Sequence, residues 1–303
     1  MRKGFQQGIL EAAKQNPLIH ILSGDHGYDL FDQFRMEFPT RFHNVGVSEA
    51  DMVGIASGFA RNGLKPIIYG LAAFVPSRVF EFIKLQIALD GLPVVIVGDG
   101  AGIVYSYLGK SHQTLEDLAL MGSLPQVTSL SPGSDKEMKT ATLWAVKQGS
   151  PVYLRIGKSD GHFQGGSESD IPEPVRVHES PRQAQSAIIA HGSMVSQALL
   201  ALNLMEDGGV DIWSCPTIFP IPEAFLDNLR RSYSKVFVVE EHGTRGGLAS
   251  EFLIRLNQIG IEVTSICAQP TQSSSVGSYI WNIEQHGLSA SQIAEVIKGK
   301  ATP

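Results

Sequence analysis

The sequence predicts an α/β protein with two doubly wound domains, each built on a mostly parallel sheet with helices on both faces. Short apolar runs alternate with helical runs along the chain, and residues typical of helix N-termini mark where several helices begin. One segment rich in Gly, Ser and acidic residues interrupts this alternation near the middle. At 303 residues, of which 43% are hydrophobic and 18% charged, the chain has the size and composition of a two-domain globular protein.

Six short apolar runs in the first half of the chain predict strands, at residues 19–22, 42–47, 66–69, 93–97, 127–130 and 152–155. Four longer runs between them predict helices, at residues 48–62, 77–89, 115–121 and 135–147. Ser134 with Glu137 has the spacing of a capping box, and Ser48 with Asp51 resembles one. Together these elements predict a parallel sheet with crossover helices.

The segment GKSDGHFQGGSESDIPEP, residues 157–174, has too few apolar side chains to form a core and ends near two prolines. We therefore predict a first domain at residues 1–157, a linker at 158–174 and a second domain at 175–303. In the second domain, apolar runs predict strands at residues 187–190, 210–213, 236–239 and 261–266. The remaining periodic runs predict helices at residues 195–206, 223–232, 247–258 and 290–300.

Charge and hydropathy argue against several classes of function. The net charge is −6 and no run of Lys or Arg would neutralise a line of phosphates, so we expect no nucleic-acid partner. No apolar run approaches the length of a transmembrane helix, and the N-terminus lacks the apolar core of a signal peptide, so we expect a cytoplasmic protein without membrane contact. Cys215 and Cys267 lack metal-ligand spacing and indicate reduced thiols, although the sequence leaves a disulfide between them open.

Three loops of the first domain should lie together, because loops that follow parallel strands gather at the carboxyl ends of those strands. The first contains Glu49, at a strand-to-helix corner among small apolar residues, the second contains Phe74, and the third ends in His112. Taken alone, each has an ordinary explanation. A Glu in the first turn of a helix usually interacts with the helix dipole and with solvent. An aromatic residue after a strand usually packs in the core, and a His in a loop is usually a surface or capping residue. Brought together at one sheet edge, they predict a ligand site.

Longer motifs surround these residues along the whole chain. In the first domain they are VGVSEADMVGIASGFARNGLKP, YGLAAFVPSRVFEFI, LPVVIVGDGAG and GKSHQTLEDLALMGSLP. In the second domain they are AIIAHGSMVSQALLALNLM, PTIFPIPE, VVEEHGTRGGLASEF and HGLSASQIAEVI. In this order they resemble the pyrimidine-binding and carboxy-terminal domains of transketolases, which are thiamine diphosphate enzymes. The resemblance covers nearly the whole chain and implies that cofactor.

The resemblance also implies roles for individual residues. Glu49 corresponds to the catalytic Glu that hydrogen-bonds the aminopyrimidine ring of the cofactor. Phe74 corresponds to the aromatic residue that stacks on this ring, and Leu71 and Ser77 in the same segment would line the cofactor site. His112 corresponds to the active-site His that contacts substrate hydroxyls and the reacting centre, where it would hold or move a proton.

One part of the family's cofactor site is missing from the sequence. In transketolases, an amino-terminal domain holds the diphosphate and a divalent metal through a Gly-Asp-Gly motif followed by a well-spaced Asn. Residues 98–100 read Gly-Asp-Gly, but no Asn lies between Asn62 and Asn203, so we interpret them as a backbone turn and predict no metal ligands in this chain. The resemblance then implies a split enzyme, in which an N-terminal transketolase-like subunit with the diphosphate-binding domain brings Mg²⁺. The expected assembly is an α2β2 heterotetramer with β–β dimer contacts.

The predicted substrate pocket departs from that of sugar-phosphate transketolases. Leu108 lies where the family has an Asp that recognises an acceptor hydroxyl, and Gly100 lies where it has a His that helps to hold the sugar phosphate. Arg155 matches an Arg of the phosphate pocket. We therefore expect transfer of a two-carbon ketol unit between sugar-type substrates, with a non-standard donor or acceptor such as a modified or nucleotide-linked sugar.

Two alternatives stay open at this point. Another thiamine enzyme, either deoxyxylulose-phosphate synthase-like or the β subunit of a 2-oxoacid dehydrogenase, would share these motifs. Such β subunits usually carry His-Ser-Gln near the third loop, where this chain has Ser-His-Gln at 111–113. The second alternative is a non-catalytic subunit that retains the fold. The presence of Glu49, Phe74 and His112 together favours an enzyme.

Overall fold

The computed structural model describes residues 1–158, 160–205, 209–257, 260–270 and 276–301. Its strands are β1 Ile19–Ser23, β2 Phe42–Asn44, β3 Lys65–Leu71, β4 Val95–Asp99, β5 Thr128–Leu130, β6 Val152–Ile156, β7 Val175–His178, β8 Ser186–Ala190, β9 Val210–Ser214, β10 Thr217–Phe219, β11 Lys235–Glu240 and β12 Glu262–Cys267. They form a seven-stranded sheet in the order β10-β5-β6-β4-β3-β1-β2 and a five-stranded sheet in the order β12-β11-β8-β9-β7. The β10–β5 and β7–β9 pairs are antiparallel and the other pairs are parallel. The predicted fold class is confirmed.

The helices are α1 Arg2–Gln15, α2 Asp32–Glu37, α3 Glu49–Arg61, α4 Phe80–Ile83, α5 Asp117–Gly122, α6 Asp135–Ala145, α7 Met194–Leu202, α8 Glu223–Ser232, α9 Leu248–Leu256, α10 Tyr279–Gln285 and α11 Ala290–Ile297. The helix predicted at 77–89 is irregular, because a 3-10 turn precedes α4 and a π-helical turn, Lys84–Ala88, follows it. The predicted helix ends at residues 206 and 258 lie outside the described residues.

The sequence prediction missed α1, α2, α10, β7 and β10. In α1 the misleading residues are Gly4 and Gly8, which lower helix propensity. Both face α6, where a Cβ on Gly4 would lie 2.1 Å from the Asp135 carbonyl oxygen and one on Gly8 would lie 2.8 Å from the Thr142 Cβ. The glycines are therefore required for close packing of the two helices, which a propensity argument does not detect.

Helix capping also differs from the prediction. Ser134 caps α6 by accepting a hydrogen bond from the backbone N–H of Glu137, but the Glu137 carboxylate accepts from a different backbone N–H and leaves the box incomplete. Ser48 makes no capping bond to α3, because its hydroxyl donates to the Asp51 carboxylate. A complete capping box lies instead at Ser289, where α11 begins.

The two halves of the chain share one core. Although β10 follows strands of the second sheet along the chain, it pairs with β5 of the first sheet. One cluster of buried side chains contains Ile68 and Ile96 from the first sheet together with Ile189 and Val238 from the second. Phe163, in the predicted linker, is 5% exposed and packs in the core of the second sheet. The composition of this segment, which is rich in Gly, Ser and acidic residues, did not indicate that it contributes to a core. The domain boundaries stay a prediction.

Two further expectations concern membranes and cysteines. None of the helices in the described ranges combines the length and apolarity needed to cross a lipid bilayer. Cys215 and Cys267 are free and buried, which confirms the prediction of reduced thiols and answers the open question of a disulfide. Burial raises the pKa of both thiols, so both stay protonated and unreactive near neutral pH.

Candidate active site

Glu49 lies at the corner between β2 and α3, as the first residue of the helix. Its side chain is buried, with 3% of the residue exposed. The guanidinium of Arg78 reaches it, with Nη1 3.0 Å from the Glu49 Oε2. The predicted surroundings of small apolar residues are therefore wrong in one respect. A cation compensates the burial of the carboxylate, which an entirely apolar corner would leave without a partner.

Arg78 also connects Glu49 to two aromatic rings. Its guanidinium lies over the Phe74 ring, 4.3 Å from the centroid. Phe74 in turn meets the His112 ring edge-on, with 5.4 Å between the ring centroids. The three loops thus come together at one edge of the sheet, as the parallel topology predicts. The catalytic and binding roles of Glu49, Phe74 and His112 stay predictions.

Two buried polar atoms, one in the cluster and one in the residue before Arg78, have no hydrogen-bond partner. The Oε1 of Glu49 and the Oγ of Ser77 are both buried and unpartnered. A buried polar atom without a partner costs about 1–3 kcal/mol, so native structures rarely keep one without a reason. Both residues are among those assigned to cofactor binding from the sequence. The free oxygen of Glu49 fits a heterocycle that shares a proton with a carboxylate, as an aminopyrimidine does, and the Ser77 hydroxyl is free to bond a polar atom of a ligand.

The predicted pocket residues Leu71, His112 and Leu108 differ in how far they are exposed to solvent. Leu71 is the last residue of β3 and is half-buried. His112 is half-buried in a 3-10 turn, with its Nδ1 3.0 Å from the Ser111 Oγ. Leu108, in the preceding 3-10 turn, is 46% exposed. It therefore presents an apolar side chain at the surface of the same loop that carries His112.

The space beside Gly100 is occupied by another side chain, and its predicted substrate contact stays a prediction. Gly100 has a left-handed φ of +70°, and a Cβ there would lie 1.9 Å from the Tyr105 ring, so Tyr105 fills this space. The Tyr105 hydroxyl donates to the Asp99 carboxylate at 3.1 Å. Burial, followed by the charge of Asp99, raises the pKa of Tyr105 to about 12. Gly98 and Asp99 thus end β4, with Asp99 paired to Tyr105, and Gly100 begins the turn that follows. No group of three or more metal-ligating side chains occurs in the part of the chain that the structure describes.

Arg155 belongs to a buried network with Asp117 and Tyr153. Its Nε lies 2.7 Å from the Asp117 carboxylate, and the Tyr153 hydroxyl donates to the same oxygen at 2.7 Å. Its Nη2 donates to the backbone carbonyl of Glu241 at 2.8 Å. Burial alone would raise the pKa of Asp117, but the adjacent Arg155 charge lowers it overall. The predicted contact between Arg155 and a substrate phosphate stays a prediction, and these two donors are already engaged within the protein.

Sequence reasoning missed two residues at this site. Arg78 follows Phe74 by four residues, but Phe74 lies outside any helix and Arg78 lies in a three-residue 3-10 helix, so the helical spacing rule gives no signal for their contact. Glu241 accepts a hydrogen bond from the backbone N–H of Ile103 at 2.7 Å, across 138 residues of sequence. No spacing rule would have found that contact.

Comparison with known proteins identifies the family of this chain. It matches the descriptions "Transketolase, pyrimidine binding domain" at residues 1–162 and "Transketolase, C-terminal domain" at residues 176–280. It is 31% identical over 252 residues to a protein of Methanocaldococcus jannaschii named as a transketolase C-terminal section, covering 82% of this chain and 79% of that protein. It is 30% identical over 264 residues to 1-deoxy-D-xylulose-5-phosphate synthase of Clostridium botulinum, covering 85% of this chain but 42% of the synthase.

Solved structures agree with these sequence relationships. A split-gene transketolase chain, described as an inactive β4 tetramer, superposes with a TM-score of 0.85 at 27% identity, over 99% of this chain and 97% of that chain. Transketolase from Campylobacter jejuni superposes with a TM-score of 0.78 at 19% identity, over 98% of this chain and 46% of that chain, which shows a shared fold. The chain therefore belongs to the transketolase family and carries its pyrimidine-binding and C-terminal domains in that order.

Proposed function

We propose that this chain is the carboxy-terminal subunit of a split, thiamine diphosphate-dependent transketolase-like enzyme, which transfers a two-carbon ketol unit between sugar-type substrates. The observation that carries the proposal is the cluster of Glu49, Arg78, Phe74 and His112, in which one oxygen of Glu49 is buried without a partner. The similarity to a transketolase C-terminal section supports the assignment to a subunit.

The residues of the cluster have complementary tasks in this proposal. Thiamine diphosphate, when bound, supplies a nucleophilic carbon that breaks and forms bonds beside a carbonyl group. Glu49 would share a proton with a ring nitrogen of the pyrimidine through Oε1, because Oε2 is held by Arg78. Phe74 would pack against the pyrimidine, and the Ser77 hydroxyl would gain the hydrogen-bond partner that it lacks. Arg78 orients the carboxylate and compensates its charge.

His112 is the candidate for proton transfer at the substrate. The edge-on contact with Phe74 and the hydrogen bond to Ser111 orient its ring. In that position it would hold or donate a proton at the oxygen of the reacting carbonyl or hydroxyl. A positioned acid or base of this kind contributes about 10²- to 10⁴-fold to a rate.

We further propose that a separate N-terminal subunit holds the diphosphate and Mg²⁺. Among the described residues of this chain, no group of acidic, His or Cys side chains is placed to bind a metal ion. The proposed assembly is an α2β2 heterotetramer with contacts between β chains. The similar split-gene chain is described as an inactive β4 tetramer, which supports contacts between β chains and the need for a second subunit.

The substrate proposal depends on the apolar edge beside His112. Leu108 is 46% exposed and Tyr107 is 61% exposed, and both belong to the loop that carries His112. A leucine accepts no hydrogen bond and makes a buried substrate hydroxyl unfavourable at its position. We therefore propose a donor or acceptor that lacks this hydroxyl or carries an apolar substituent there, such as a modified sugar. Ordinary pentose-phosphate exchange at full efficiency by the reconstituted pair would contradict this proposal.

The function is tested by the substitution Glu49→Gln in the chain reconstituted with its N-terminal subunit. We expect turnover to fall by at least about 10²-fold, because a neutral amide cannot share the proton. The assembly should persist, since Gln has nearly the same volume as Glu. Asp51→Asn is the matched control, because Asp51 is an exposed acid in the same helical turn, and this variant should keep its activity. Near-full activity of Glu49→Gln would rule out the proposed role.

A second candidate is a 2-oxoacid-decarboxylating thiamine enzyme of the synthase type. The identity of 30% with the Clostridium botulinum synthase favours it. Incubation of the reconstituted pair with pyruvate separates the two candidates, because decarboxylation releases CO₂ and ketol transfer does not. If CO₂ is released faster than ketol is transferred, the second candidate replaces the first proposal.

The alternative of a non-catalytic subunit is tested by calorimetry with thiamine diphosphate, Mg²⁺ and the partner. A subunit without catalytic function should give no heat of cofactor binding.

A further inference from the structure

The loop that carries His112, residues 102–114, is closed at its base by two backbone hydrogen bonds. The Gly102 N–H donates to the Thr114 carbonyl at 3.1 Å, and the Thr114 N–H donates to the Gly102 carbonyl at 2.9 Å. Beyond the base, consecutive 3-10 turns bond locally, as the His112 N–H does to the Gly109 carbonyl at 3.0 Å. The geometry of the base therefore sets where His112 lies.

The second half of the chain holds both sides of this base. The Ile103 N–H donates to the Glu241 carboxylate at 2.7 Å, and the Gly243 N–H donates to the Leu115 carbonyl at 2.7 Å. The Ile103 side chain is fully buried within the core of the second sheet, and Leu115 packs against the same core. Residues 241–243 thus attach to the loop immediately after it begins and immediately after it ends.

The Glu241 carboxylate is held firmly enough to act as an anchor. It is 1% exposed, and besides the Ile103 N–H it accepts hydrogen bonds from the Ser193 hydroxyl and from the Tyr279 hydroxyl, the latter at 2.8 Å. It also lies directly against Gly102, where a Cβ would come within 2.4 Å of its Oε1 and where φ is +77°. Glycine is therefore required at position 102, and the carboxylate fills the space beside it.

We propose that Glu241 is a positioning residue, which anchors the base of the His112 loop through the Ile103 N–H. Through this contact, the second half of the chain fixes the position of His112. The consequence for turnover rests on the function proposed above, whereas the anchoring does not. The neighbouring Glu240 has a different task, because its carboxylate accepts from the Leu248 and Ala249 N–H groups at the start of α9. Two adjacent buried glutamates thus serve different elements, and Glu240 provides a matched control.

Amide hydrogen exchange of the full chain tests the anchoring. In Glu241→Leu the Ile103 N–H loses its acceptor, and exchange of residues 102–114 should become about 10- to 100-fold faster. In Glu241→Gln a weaker neutral acceptor remains, and the increase should be about 2- to 10-fold. The Glu240→Leu and Glu240→Gln controls should instead speed exchange in α9 and leave the loop unchanged. Equal loop exchange in the Glu241 variants and their Glu240 controls would overturn the inference.

The folding of the variants and the activity of the reconstituted enzyme give further tests. If Glu241→Leu does not fold, Glu241→Gln against Glu240→Gln decides by the same criterion. In the reconstituted enzyme, the variant with the faster loop exchange should have the lower kcat, so Glu241→Gln should retain more activity than Glu241→Leu. Faster loop exchange with unchanged kcat would overturn the positioning role. If the parent pair has no ketol-transfer activity, the proposed function fails, while the exchange result still decides the anchoring.

Discussion

Replacement of Arg155 tests whether this residue serves a substrate pocket or a buried network. The side chains of Arg155 and Asp117 are 1% and 0% exposed, and their closest N and O atoms are 2.7 Å apart. Arg155→Met preserves most of the aliphatic packing and removes the guanidinium. The Asp117 carboxylate is then left buried with the Tyr153 hydroxyl as a donor but without its cationic partner.

The expected cost follows from this geometry. Removal of one partner of a buried ion pair lowers the free energy of unfolding by about 3–5 kcal/mol, because the remaining charge stays desolvated. The lost hydrogen bond from Arg155 to the Glu241 carbonyl is included in this range. Since domains are usually stable by about 5–15 kcal/mol, the loss should be large and easily measured.

Urea unfolding followed by circular dichroism measures this loss. The double variant Arg155→Met with Asp117→Asn is the control, and it should recover part of the stability because no buried charge remains. The reasoning is refuted if Arg155→Met loses less than about 1 kcal/mol. If that variant also binds substrate more weakly in the reconstituted enzyme, Arg155 is the phosphate-pocket residue that the sequence resemblance implies.

The pH dependence gives a second check with a definite sign. Burial would raise the pKa of Asp117, but Arg155 lowers it below its usual value, so the pair stabilises the fold above about pH 4 and this contribution is lost as pH falls further. In Arg155→Met, burial acts without the compensating charge, so protonation of Asp117 should relieve the variant as the solution is acidified. The stability difference between parent and variant should therefore shrink at low pH, and a constant difference would contradict this account.

Three further predictions concern other contacts. The ring nitrogens of His20 and His43 lie 3.0 Å apart, and burial lowers the pKa of both, with the neighbouring His43 adding to the effect on His20. The folded state thus binds fewer protons below about pH 6.5, so urea unfolding should show stability decreasing as pH falls through that value, and His43→Phe should flatten the decrease. Gly100→Ala places a Cβ 1.9 Å from the Tyr105 ring at a φ of +70°, and thermal unfolding should show a loss of about 1–3 kcal/mol. Ser289→Ala removes the capping box of α11 and should cost about 0.5–2 kcal/mol, measured by urea unfolding.

Each of these has its own control. A parent-like pH slope in His43→Phe would show that the histidine pair is not the titrating group. Gly63→Ala separates strain from collision, because Gly63 has a φ of +83° and no atom lies within 4 Å of the position that its Cβ would take, so it should cost less than Gly100→Ala. Ser289→Thr keeps a capping hydroxyl and should keep most of the stability, whereas an equal loss in both Ser289 variants would argue against the cap.

Local sequence patterns predicted the secondary structure where a short run of residues is enough to determine it. Apolar runs that alternate with helical runs predicted the strands of both sheets apart from β7 and β10, since each run must be buried in a parallel sheet. They failed at α1, where Gly4 and Gly8 look unfavourable for a helix but permit close contact with α6. They also failed at β10, whose three residues join the sheet of the other half of the chain.

By itself, the order of motifs determined the family, the two-sheet architecture and the meeting of Glu49, Phe74 and His112, because parallel strands place their following loops at one edge. Only the tertiary structure decided which groups compensate the buried charges. Arg78 reaches Glu49, Arg155 is held by Asp117, and Glu241 holds the loop of His112 from the other half of the chain. Burial makes a partner obligatory for a charge, but it does not specify where in the sequence that partner lies, and only the folded packing brings the two together.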